Sequence, residues 1–212
     1  MSDGRLYKAN DMVKADCGGC NGCSRCCHGM GNSIILDPYD VYRMTTGMGK
    51  SMQELLAASV ELNVVDGVIL PNLKMQGAEE ACAYLDGEGR CSIHPYRPGI
   101  CRLFPLGRYY ENGGFSYFLQ IGECAKENRS KIKVSKWIDT PDLTRNQQFT
   151  LQWHDLLHAM EERLTGEDEG KQREENLLLL RLFYLLPYEG TIDFYTQFTE
   201  RMEHWNGQNG QI

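Results

Sequence analysis

Several things are missing from this chain, and each absence narrows its function. No stretch of the 212 residues approaches the ~20 consecutive apolar residues that a membrane-spanning helix needs, so no membrane role is expected. The 22 Lys and Arg are scattered and the net charge is -7, whereas nucleic-acid backbones are held by clustered cations. No nucleic-acid partner is therefore expected. Met1 to Asn10 have none of the apolar core of a secretory signal, which predicts a cytoplasmic, reducing location. Sequence repeats with a period of roughly 20 to 50 residues and low-complexity tracts are also lacking. There is no G-x-G-x-x-G loop for a Rossmann-type cofactor and no H-E-x-x-H zinc-protease signature.

What is present is a chain of ordinary globular composition, 42% hydrophobic and 24% charged, long enough to bury a core without help from metal. It carries nine cysteines, all between positions 17 and 124. Disulfides explain them poorly. The number is odd, the expected compartment is reducing, and Cys20, Cys23, Cys26 and Cys27 are too close together to staple distant parts of a fold.

A metal site explains them better. A C-x2-C turn places two thiolates on one side of a tight loop, and Cys20, Cys23 and Cys26 repeat that interval. Three sulfurs so spaced are the arrangement that holds three corners of a [4Fe-4S] cluster, with a fourth ligand from elsewhere. Zinc sites more often use two separated pairs, so Zn2+ is the alternative cofactor. Cys27 is awkward, because adjacent residues tend to point apart, and it is expected to reach a different iron or a second site. Cys82, Cys91, Cys101 and Cys124 supply four more thiols near turns and strand ends. Cys17, on a Gly-Gly turn, looks dispensable.

The pattern around these residues predicts an α+β fold, with short antiparallel hairpins and small helices in a metal-organised lobe (1–136) and a helical region (137–212) packed on it. Asp37-Pro38 opens a helix through about Thr46, ended by Gly47 and Gly49. Ser51 and Glu54 form a capping box for a second helix carrying Leu55, Leu56, Ala58 and Leu62. Hairpins are expected around Asp66-Gly67, around Asp86 to Gly89 within Tyr84 to Ile93, and around Asn112 to Gly114 within Arg108 to Ile121. Thr140 and Pro141 then start a helix with Phe149, Trp153, Leu156, Leu157 and Met160 on one side. After an acidic linker from Gly166 to Gly170, a second helix runs through Leu177 to Leu186. Thr191 caps a third with Phe194, Tyr195, Phe198 and Met202.

Three ordered blocks carry a family resemblance: Cys20 to Cys27; Cys82-Ala83-Tyr84-Leu85 with Cys91-Ser92-Ile93-His94; and Arg97-Pro98-Gly99-Ile100-Cys101-Arg102-Leu103-Phe104-Pro105. Together they resemble the CxxCxxCC family, whose members are described as zinc- or iron-chelating domains and include a flagellin lysine N-methylase. The resemblance spans roughly Cys20 to Cys124. It departs from the family at His94, where tyrosine is common, and in the additional Cys17. It implies a metal centre and points toward methyl transfer to a protein side chain, although no nucleotide loop accompanies it.

Arg97 and Arg102, on either side of Cys101, are candidates to donate hydrogen bonds to a cluster or to an anionic substrate; a structural ion pair is the plain alternative. His28 and His94 sit beside cysteines but are not needed as ligands with eight thiols available. His154 and His158 share a helix face, and an ordinary helix surface is the simpler reading. The expected protein is thus an iron-sulfur protein with a redox or cluster-assisted protein-modification role and a protein substrate or partner. Its rivals are a structural zinc module, in which bound metal stabilises the fold, and a metal carrier.

Overall fold

The computed structural model describes residues 1–18, 23–126 and 128–209. Two-residue turns that only positive φ can close organise its hairpins. Asp66 and Gly67, at φ 51° and 81°, join β2 (Val60–Val65) to β3 (Val68–Leu73) in antiparallel register, with Val60 opposite Leu73. Asn112 and Gly113, at φ 51° and 68°, join β6 (Leu106–Glu111) to β7 (Gly114–Leu119). Such turns match the right-handed twist of paired strands, and both were expected. Two further pairs were not. β1 (Met12–Asp16) pairs with β8 (Ser130–Lys133), and the short strands β4 (Met75–Gln76) and β5 (Ala81–Cys82) pair with each other.

The first helix, α1 (Pro38–Met48), begins as expected with Asp37 as its cap, in a box completed by Asp40. It runs on through Gly47 and ends at Gly49, which adopts the left-handed conformation. Gly47 answers a different need: a Cβ there would lie 2.3 Å from the Tyr96 ring. Helix α2 (Met52–Ala58) has the Ser51–Glu54 box but stops before Leu62, which lies on β2. Pairing with β3 overrides the helical spacing of the leucines.

The segment Tyr84 to Ile93 is a looped turn and not a strand hairpin. A single bridge joins Leu85 to Cys91, and the Asp86 carboxylate accepts hydrogen bonds from the amides of Glu88 and Arg90 at 2.9 and 2.8 Å. An Asp at a turn satisfies amides that a ladder would otherwise pair. Helix α3 (Gly99–Leu103) follows, and α4 (Val134–Ile138) comes after β8.

The long helix α5 (Leu143–Leu164) is capped by Asp142, not by Thr140. Helix α6 (Glu169–Leu180) passes into one π turn, Arg181–Leu185. Helix α7 (Phe194–Asn209) starts beside Asp193, whose carboxylate accepts from the Thr196 amide at 3.0 Å, so Asp193 and not Thr191 fills the capping role. In both corrected cases an aspartate closer to the helix supplies the stronger acceptor. Among the described residues, no helix is long and apolar enough to cross a membrane.

Two buried clusters hold these elements. The larger joins α1, α2 and the β2–β3 hairpin to α5, α6 and α7 through Leu36, Met44, Leu55, Phe149, Trp153, Phe183 and Phe198. The smaller gathers Val13, Ala15, Leu103, Leu106, Tyr117, Leu119, Val134 and Ile138 from β1, α3, β6, β7 and α4. Asn176 of α6 clips the hairpin turn, accepting from Ile69 N at 2.6 Å and donating to Gly67 O at 3.2 Å. The π turn frees carbonyls that buried Arg201 satisfies by donating to Leu182, Leu186 and Pro187 at 2.7, 3.0 and 2.9 Å.

Candidate metal centre

Cys26, Cys27, Cys82, Cys91 and Cys101 are presented by short, locally closed segments. Cys26 and Cys27 lie in a 3-10 turn, Arg25–Cys27, closed by the bond from Cys27 N to Ser24 O at 2.8 Å. His28 bridges to Ala81, and Gly29 N donates to Glu80 O at 3.0 Å, which lashes this turn to the β4–β5 hairpin and so to Cys82. Cys91 stands at the closing bridge of the Asp86 loop. Cys101 rides on α3, whose first amide, Gly99 N, donates to the buried Asp40 carboxylate at 2.6 Å.

Electrostatic coupling shows which sulfurs face one another. Cys27 donates a hydrogen bond to Cys26 and so brings the Cys26 thiol down to about 6, against the opposing pull of burial and with help from the Arg97 charge. The same bond, with burial and the nearby Cys26, Cys82 and Cys101, pushes the Cys27 thiol up. Burial raises Cys82, Cys91 and Cys101, and each also responds to Cys26. Five thiols from three parts of the chain, Cys26 with Cys27, Cys82 with Cys91, and Cys101, thus lie near enough to feel one another's charge.

Cys23 and Cys124 fall elsewhere. They line a small adjoining cleft with Cys17, and Cys26 forms part of its wall beside Phe104, Pro105 and Trp137. Cys17 is brought there by the β1–β8 pairing, a long-range contact that its place in the sequence does not reveal. Cys20 lies outside the described residues. Among the described residues no group of three or more His, Cys, Asp or Glu is placed to hold a metal ion.

The two arginines have separate surroundings. Arg97 donates from Nη1 to, or shares a proton with, His94 Nε2 at 2.8 Å, and its Nε is buried without a partner. Its charge lowers both Cys26 and Cys91. Arg102 is buried, with its guanidinium 5.8 Å from the Tyr39 ring centroid and with Nε and Nη1 unpartnered. Burial and then Arg97 lower the His94 imidazole, while His28 Nδ1 lies 3.4 Å from Glu79 O. His154 stacks on Tyr110 at 3.8 Å, and His158 sits near Glu161 and Glu162.

Convergent thiols, one of them readily ionised, with an arginine to offset their charge, are the donor chemistry that soft thiophilic metals require. These features define a cysteine-cluster metal-chelating protein. The chain belongs to the CxxCxxCC family, described as a "putative zinc- or iron-chelating domain", whose model matches residues 19–124. Neither a curated protein nor a solved structure matches it.

Proposed function

We propose that the protein is an iron-sulfur protein of a reducing compartment, in which the Cys26, Cys27, Cys82, Cys91 and Cys101 set supplies the principal ligands, with Cys20, Cys23 and Cys124 completing the pool. The observation that supports this reading is the electrostatic coupling among five thiols from three chain segments, more than one tetrahedral zinc uses. A bound cluster would supply one-electron chemistry. The protein's own part is to lower the Cys26 thiol through Cys27 and the Arg97 charge, whereas the other four thiols are raised and would give up their protons on binding metal. The buried Nε of Arg97 is a donor available to a sulfide or to an anionic group. The role we infer is redox or cluster-assisted modification of a protein side chain, with methyl transfer as the form that the family resemblance suggests, acting on a protein substrate.

A zinc reading is supported by the grouping of Cys17, Cys23, Cys26 and Cys124 on one small cleft, four thiols being the number that a closed zinc site uses. Anaerobic purification followed by metal and acid-labile sulfide analysis decides between them. Iron with matching sulfide is expected; zinc without sulfide after anaerobic isolation would overturn the iron-sulfur proposal.

A further inference from the structure

Against α3, whose Ile100 and Leu103 line it, lies a cleft of about 360 Å³, within the size range of small-molecule sites. It contains no cysteine. Its apolar lining includes Leu36, Leu103, Leu106 and Trp153, and its wall carries both acidic and basic side chains. Asp37 and Asp40 supply the negative side. Asp37 Oδ1 accepts from Asp40 N at 2.8 Å, and Asp40 uses Oδ1 for Gly99 N and Oδ2 for Asp37 N. The Tyr39 amide adds a further hydrogen bond to the Asp37 carboxylate.

Arg108 supplies the positive side. It projects from β6 beside Tyr110, and its Nε is buried without a hydrogen-bond partner. Its charge reaches both carboxylates, yet among the described residues no ion pair joins Arg108 to either of them. Buried polar groups ordinarily find partners, and a buried guanidinium nitrogen left unmatched on the same wall as two carboxyl groups suits a molecule that carries both an anion and a cation.

We propose that this cleft binds a small zwitterion, an α-amino acid with an apolar side chain, its ammonium group on Asp37, its carboxylate on Arg108 and its side chain on the Leu36–Leu103–Trp153 floor. An ammonium also provides the cation that the desolvated carboxyls lack, since burial raises both Asp37 and Asp40. No cysteine lines the site, although the Asp40 charge also acts on Cys101.

The test is calorimetric titration and thermal melting of the full chain with L-leucine and L-phenylalanine. N-acetyl-L-leucine, which lacks the cation, and isoamylamine, which lacks the carboxylate, serve as single-charge controls. At least one amino acid is expected to bind saturably at millimolar concentration and raise Tm, with both controls weaker by about tenfold or more. Arg108→Gln removes the positive partner, and Asp37→Asn removes the negative one while keeping a side chain that caps helices well. Each variant is expected to fold and to lose about ten- to a hundredfold in affinity. Absence of saturable binding by either amino acid, equal binding of a single-charge control, or undiminished binding by either folded variant would overturn the proposal.

Discussion

Asp40 accepts a hydrogen bond from Gly99 N at 2.6 Å, and through it α1 fixes the segment that carries Cys101. Asp40 is only 2% exposed, so the bond is shielded from water. Asp40→Ala strands the amides of Gly99 and Asp37 and removes half of the capping box. A loss of about 2–4 kcal/mol is expected. Urea unfolding monitored by circular dichroism measures it, and an unchanged midpoint would refute the role assigned to this bond.

The same carboxyl makes a pH prediction. Burial, and then the charge of Asp37, raise Asp40 well above its ordinary 3.8, so the folded protein binds a proton there more tightly than the unfolded chain. Its favourable contribution is complete below 3.8 and is lost as pH rises through the elevated folded value. The stability of the wild type relative to Asp40→Asn should therefore fall as pH increases across that window and then level off. A difference that grows with pH would contradict the sign.

For the thiols, Cys101→Ser is expected to lose the metal of the five-thiol set, while Cys17→Ser should leave that set's metal in place because Cys17 lines the other cleft. Metal content per chain, determined after anaerobic purification, reads both. Full retention in Cys101→Ser would remove that residue from the ligand set.

Alanine normally stabilises a helix relative to glycine by about 1 kcal/mol, but at Gly47 the added methyl would meet the Tyr96 ring at 2.3 Å. The clash should win, so Gly47→Ala is expected to destabilise by about 1–3 kcal/mol. The double variant Gly47→Ala/Tyr96→Ala should be less destabilised than the sum of its single changes. Simple additivity in a double-mutant cycle would show that the contact is not the cause.

Arg201 bonds three carbonyls at the end of α6 and lies 3.5 Å from the Tyr188 ring centroid. Arg201→Met keeps much of the stem but leaves those carbonyls without their donor. A cost of about 2–4 kcal/mol, or roughly 4–16 °C in Tm, is expected. A melt within a degree of the wild type would rule this out.

Local chemistry was readable in advance. Asp66-Gly67 and Asn112-Gly113 announced their hairpins because few other pairs adopt those angles, and the Ser51–Glu54 box announced α2. Where two local signals competed, the reading failed: Leu62 fits a helical stripe but is claimed by β3, and Thr140 and Thr191 yield to Asp142 and Asp193. The cysteine run revealed the kind of centre but not how its members divide. That division depends on His28 meeting Ala81 and on β1 meeting β8, contacts between segments whose encounter no spacing encodes. The cleft at Arg108 was invisible for the same reason, since its two charges come from α1 and β6.

The five converging thiols also impose an order on biosynthesis. Cys26 and Cys27 are made long before Cys101, an interval of roughly 4–15 s at ordinary translation rates. Throughout it the early pair has none of its later neighbours, and the ribosome holds back the residue that closes the set. With the proposed ligand set, metal delivered to the emerging chain would meet an incomplete chelate, stable loading would follow synthesis of α3, and the early thiols would be the stage most exposed to oxidants.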